Sequence, residues 1–284
     1  MVPRVLWLVQ PVDAGFLGGD PSAPLVVSRR SRQEKEPWRS LPPIRGQVEA
    51  TFIRPLYLGE SIAPYRVLGS VPTVVPWDER TRTVRDAAAA RSAGYVHLAS
   101  WLTAAEGLWE SHGRGQMALS DRIDYHGSLA IQMPPASVRV VYSKAGSQPA
   151  AAVLRDPGGV VDHKLYWAAV EENEGHFLTA VLNSEAARSR VAHLQSRGQW
   201  GARDFDKVIF ELPIPAYDSS SALHQELAAT ARLAEEVAAS VTLPPGLHFV
   251  RTRSMVRGAL LADGVAQKVE ALVVTLLAGT GLPD

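Results

Sequence analysis

The chain of 284 residues contains no cysteine. Disulfides, thiolate nucleophiles and every cysteine-ligated zinc or iron–sulfur centre are excluded by that absence alone. No apolar run approaches the roughly 18 residues that a membrane-spanning helix needs. Net charge is missing too, because 29 Lys and Arg balance 29 Asp and Glu. A balanced chain argues at first sight against a polyanionic partner, which normally selects a basic surface. The sequence has no HExxH and no GxSxG elbow. None of its 8 histidines stands at a ligand-like spacing beside a carboxylate.

What is present is a large apolar fraction, 46%, beside 20% charged residues. That composition supports a sizeable core and excludes wholesale disorder. The opening stretch MVPRVLWLVQPVDAG has a short apolar run broken by proline. It reads as a strand and not as a signal peptide, so a soluble, cytoplasmic protein is expected. The zero net charge also hides an asymmetry. Residues 1–150 hold 17 basic and 13 acidic side chains, a net of +4, and residues 151–284 hold 12 and 16, a net of −4.

The first 80 or so residues alternate short apolar runs with Gly- and Pro-rich turns, which predicts strands near 5–9, 48–58 and 71–77. Helical periodicity follows over 83–113, broken at Gly94, and strand signals return at 129–132 and 138–142. Beyond them, 165–170 and 208–212 read as strands and 175–194 as a helix. A long helix is expected over 219–241, and a last one has Val265, Val269, Leu272, Val273 and Leu276 on one face with Asp263 as its cap. The expected fold is α+β: a β-rich lobe, then an α/β segment, then spacer-like helices. The expected division is 1–217 for a first domain holding the β-rich lobe and 218–284 for a C-terminal helical hairpin, which packs internally or forms an intermolecular seam.

Three stretches invite a catalytic reading and fail it. The glycine-rich 13–19 is followed by Asp-Pro-Ser-Ala-Pro, which cannot open the helix a nucleotide-binding turn requires. Asp121, Asp124 and His126 surround Arg122 and lack a second ligand cluster. Asp204-Phe205-Asp206-Lys207 has the wrong spacing for a nuclease carboxylate–lysine pair. More informative is a basic tract with Arg29, Arg30, Arg32, Lys35, Arg39, Arg45, Arg54 and Arg66, interleaved with Trp38, Phe52, Tyr57 and Tyr65. Guanidinium forks suit phosphates and guanine edges, and the rings offer stacking surfaces. A second basic stretch holds Arg188, Arg190, His193, Arg197, Arg203 and Lys207. A solvated surface with internal ion pairs is the plainer account of both.

Four segments in order then carry a resemblance. They are Phe52-Ile53-Arg54-Pro55-Leu56-Tyr57-Leu58-Gly59-Glu60-Ser61-Ile62-Ala63-Pro64-Tyr65, Arg139–Gly146, Leu165-Tyr166-Trp167 leading to Phe177–Ser184, and Arg203–Lys207 with Leu212-Pro213-Ile214-Pro215. In this order they resemble the C-terminal target-recognition region of large N-6 adenine DNA methyltransferases of restriction–modification and phage-defence systems. The pattern is also similar to half of a type I specificity subunit. The resemblance spans about residues 28 to 280. It implies a DNA-binding module whose loops read base edges, with double-stranded DNA and a methyltransferase catalytic subunit or domain as partners. The sequence departs from the family where the chemistry would be. The nearest string to an Asn-Pro-Pro-Tyr motif is Met133-Pro134-Pro135-Ala136, and neither a cofactor turn nor a catalytic domain is found. The resemblance therefore implies no catalytic residue, no cofactor and no metal on this chain. Arg29, Arg30, Arg32, Lys35, Arg54 and Lys144 are the candidate DNA contacts. A scaffold subunit of a defence complex and an unrecognised hydrolase or nuclease are the alternatives.

Overall fold

A computed structural model describes residues 6–12, 19–29, 34–113, 115–144, 146–195, 197–198, 201–202 and 205–279. The chain forms two compact units that alternate along the sequence. The first comprises Met1–Leu56, Ser70–Pro135 and Gly158–Val160, and the second Tyr57–Gly69, Ala136–Pro157 and Val161–Asp284. The class is α+β, as expected, with several small sheets and no barrel among the described residues.

In the first unit, strand Leu25–Ser28 pairs antiparallel with both Val9–Pro11 and Arg45–Gln47. Strand Ile53–Tyr57 pairs with Val71–Val74. Three helices follow: α1 (Ala87–Ser92), α2 (Val96–His112) and α3 (Leu119–Ile123). Asp86 caps α1 by accepting the Ala89 N–H at 2.7 Å. Gly94, at φ +86°, makes the break before α2. The residue preceding α2 is Tyr95, which offers no cap. Instead the Glu49 carboxylate accepts the N–H groups of His97 and Leu98 at 3.0 and 2.7 Å. An anion from elsewhere in the chain thus satisfies the helix's orphan donors and its dipole. The inner face of α2, with Leu98, Trp101, Leu102 and Ala105, packs with Leu6, Val9, Val26 and Val48. Each such fully buried large side chain contributes on the order of 2 kcal/mol.

The second unit is built on an antiparallel sheet with Arg139–Ser143 between Ala151–Leu154 and Leu165–Ala169. Its residues alternate between two cores, Val140 and Tyr142 in one and Val141 in the other. Five helices accompany it: α4 (Glu172–Asn183), α5 (Glu185–Val191), α6 (Ala222–Ser240), α7 (Phe249–Asp263) and α8 (Val265–Ala278). Gly175 lets α4 press onto the sheet, since a Cβ there would stand 3.2 Å from Val170 Cγ2 and 3.3 Å from Val153 Cγ2. At the end of α4 the Asn183 amide accepts the Ala151 N–H and donates to the Ala151 carbonyl, both at 2.9 Å. A side-chain amide here does what a neighbouring strand would do.

Charged groups hold the helix ends of this unit. Glu270 accepts the N–H groups of Glu185 and Ala186 at the start of α5. Arg66 donates to the carbonyls of Ala238 and Val241 at the end of α6, at 2.8 and 2.7 Å. Arg253 of α7, 3% exposed, donates to the Ile62 carbonyl at 2.8 Å, the Gly59 carbonyl at 2.7 Å and Ser143 Oγ at 2.9 Å.

Several expectations are corrected. Residues 129–132 form a short 3-10 turn, Ala130–Gln132, because Asp124 Oδ1 accepts the N–H groups of Leu129 and Ala130 and no ladder is needed. Residues 208–212 belong to the 3-10 segment Asp206–Glu211 and not to a strand. The helix expected over 175–194 is two helices, parted at Ser184, whose Oγ accepts the Ala187 N–H at 3.0 Å. Asp263 ends α7 instead of capping α8, since Gly264, at φ +93°, is the whole link between them. The C-terminal region is accordingly three helices and not a hairpin, and α6 and α8 pack on α4 inside one core. The cut expected at 217 falls within the second unit. The glycine-rich 13–18 lies outside the described residues. No helix among the described residues is long and apolar enough to cross a membrane.

Arg253→Lys is expected to lower unfolding free energy by about 2 kcal/mol, because one ammonium cannot reach three acceptors placed for a planar fork. Urea-unfolding midpoints of the two proteins measure this, and an unchanged midpoint would show that the guanidinium is dispensable.

Candidate functional site

At one end of the second unit's sheet, Tyr142 and Tyr166 face each other in register on adjacent strands. Just beyond them the Lys144 N–H donates to the Lys164 carbonyl at 3.0 Å, which places two lysines side by side. Lys144 Nζ lies 4.1 Å from the centre of the Tyr166 ring, a cation–π contact. The Tyr166 hydroxyl donates to Asp206 Oδ1 at 2.9 Å. Burial, with Asp206 second, pushes the Tyr166 phenol up to about 12, so it stays a donor at neutral pH. Asp206 sits at φ +41°, a region in which Asp is tolerated better than most residues.

The 3-10 segment beginning at Asp206 completes the group. Phe210 stands edge-on to Tyr166, with ring centres 5.0 Å apart, and 5.4 Å from Tyr142. Three residues make one turn of such a helix, so Lys207 and Phe210 share a side. Exposure is graded: Tyr142 is 2% exposed, Tyr166 is half-buried and Phe210 is 46% exposed. Burial raises the Tyr142 phenol well above its ordinary value, and its hydroxyl has no hydrogen-bond partner among the described residues. The result is an aromatic step with Lys144 over Tyr166, Lys164 beside Lys144 just before the adjacent strand and Lys207 one turn before Phe210, none of the three in an ion pair among the described residues.

The other sequence candidates are dispersed. Arg29 is exposed, with its backbone N–H on the Leu8 carbonyl. The register Val27↔Arg45 puts Arg29 and Arg45 on one face of adjacent strands. Lys35 is exposed. Arg54 is half-buried and paired with Glu79 at 3.1 Å, so its charge is largely compensated. Arg30 and Arg32 lie outside the described residues. Arg29, Lys35 and Arg54 belong to the first unit and Lys144 to the second. Counted by unit, the charge asymmetry shrinks: the first holds 14 basic and 12 acidic residues, the second 15 and 17. Of the second basic stretch, Arg188 is paired with Glu185. Tyr166 and Phe210 were missed as site residues, and only their aromatic character, shared with many core residues, marked them.

A separate cluster of ionisable groups lies deeper in the second unit. Arg155 donates to both Glu172 of α4 and Glu235 of α6. Buried His176 has Nε2 3.3 Å from Glu172, 3.3 Å from Arg155 and 3.6 Å from Glu235. Arg232 bonds Asn173 nearby at 2.8 Å. Burial holds the His176 imidazole below its ordinary value, against the pull of Glu235. The hydrogen bond from Arg155 holds Glu172 low. A cleft of about 310 Å³ opens beside this cluster, lined by Tyr57, Tyr65, Arg66, Arg155 and Glu235. Its polar groups are engaged internally, Tyr57 with Asp156 and Arg66 with α6 carbonyls, so it reads as a structural joint. No metal-binding group of His, Asp and Glu occurs among the described residues.

No protein-family model matches the chain, and no curated protein matches it.

Two predictions follow from these geometries. Tyr142→Phe removes a buried hydroxyl with no hydrogen-bond partner among the described residues, so thermal unfolding should show unchanged or slightly raised stability, by up to about 1 kcal/mol; a clear loss would reveal a hidden partner. His176 has a folded pKa below its unfolded value of about 6.5, so the unfolded chain binds the proton first. Stability contributed by neutral His176 is therefore complete above about pH 7 and declines as pH falls toward 5. His176→Gln should flatten that part of the stability–pH curve, measured by urea unfolding at each pH, and an unaltered slope would assign it to other groups.

Proposed function

We propose that the chain is a DNA sequence-recognition module, without a catalytic centre of its own, that gives specificity to an adenine methyltransferase on another subunit or domain. Two lines support the reading. One is the ordered resemblance of four segments to target-recognition regions. The other, which carries it, is the lysine-flanked aromatic step of Lys144, Lys164, Lys207, Tyr166 and Phe210. Cations that form no ion pair among the described residues are available for phosphates, and each phosphate neutralised releases counterions and makes binding salt-dependent. The exposed Arg29 and Arg45 add a second cationic face. The near-balanced charge of both units predicts weak binding by the isolated chain.

A scaffold role is the second reading, favoured by the exposed apolar residues of α7: Val250, Met255 and Leu261 are 55%, 40% and 56% exposed. The two readings separate by titration of a mixed-sequence duplex at several salt concentrations, followed by fluorescence anisotropy. Binding should weaken with salt. Replacing Lys144, Lys164 and Lys207 together by Ala should reduce the slope of log K against log salt by about 2 to 3, near 0.9 per phosphate contact. No duplex binding at low salt, with or without an adenine methyltransferase present, would overturn the proposal.

A further inference from the structure

We infer that the exposed Phe210 ring, backed by Tyr166 and Tyr142, stacks on a single unpaired nucleobase, with Lys144, Lys164 and Lys207 on the phosphates around it; this rests on the nucleic-acid reading above. Inside a closed duplex the faces of the bases are covered by their neighbours in the stack. An aromatic ring has no face to meet there, whereas an unpaired base presents one. Phe210 is a large ring left 46% exposed, and its edge and one side are fixed by Tyr166 and Tyr142. Tyr166 is itself held by Asp206 and covered by Lys144. A step held this way loses little side-chain freedom when a base stacks on it.

The ring behind Phe210 points the same way. The Tyr142 hydroxyl is buried and has no partner among the described residues, so it contributes nothing to the fold that a phenylalanine would not. A base edge carries both donors and acceptors, and one that enters beside the Phe210 ring supplies the missing partner. Lysines suit the rim because they act on phosphate as point charges without reading sequence. The chemistry is therefore that of a stacking surface tolerant of base identity, separate from base-edge reading in a groove.

The test compares a closed duplex with the same duplex carrying a one-nucleotide bulge of 2-aminopurine, both bound by the full chain. The bulged duplex should bind about tenfold more tightly, with the 2-aminopurine fluorescence quenched by stacking. Phe210→Ala, a change at an exposed position, should abolish both the preference and the quenching. Tyr142→Phe should reduce the preference several-fold with its unfolding temperature unchanged. Equal affinity for the two duplexes overturns the inference and leaves the DNA reading standing, as does a preference that survives in Phe210→Ala. An unchanged preference in Tyr142→Phe overturns the part given to the hydroxyl. Failure to bind either duplex overturns both.

Discussion

The second unit depends on one buried cation. Arg253 reaches from α7 to two carbonyls in the 57–69 segment and to the hydroxyl of Ser143 at the end of the central strand. A buried guanidinium without partners would be strongly unfavourable. With three acceptors placed for its fork, it fixes where α7 lies relative to the sheet end. That end is also where Lys144 follows Ser143 and pairs with Lys164. The geometry of the lysine-flanked step is therefore downstream of this one interaction.

The same device recurs in milder form. Glu49, Glu270 and Arg66 each bring a charge from a distant part of the chain to a helix end. In each case the helix has orphan backbone groups that its own flanking residues do not satisfy. Polar groups here serve as joints between elements.

Much of the helical content was legible, and the reasons for the exceptions are local. The apolar stripe of α6 and the break at Gly94 read correctly from spacing alone. Helix α7 escaped notice because its buried face carries Thr252 and Arg253 beside Val256 and Leu260, which breaks the apolar period. The run Val208–Leu212 looks like a strand by composition, yet Ile209 is buried and the segment turns from Asp206 in a left-handed conformation. Of the site, charge and its place in the 142–146 loop singled out Lys144. Tyr166 and Phe210 could not be joined to it, since nothing in their spacing tells which aromatic stays at the surface. The +4 and −4 of the two halves weakened on folding because the compact units are not the linear halves.

The alternation of the two units along the chain has a consequence for how the protein is made. The carbonyls of Gly59 and Ile62 are held by a side chain 194 and 191 residues later. During synthesis the first unit has all its parts once residue 160 has emerged. Residues 57–69 must then wait, tethered at both ends to a unit that can already fold, until α7 arrives. Contacts of such long sequence separation close late and slowly, so the segment that anchors the aromatic step is among the last to be secured. A first unit that folded early would hold the two ends of that segment together and lower the entropic cost of the closure still to come.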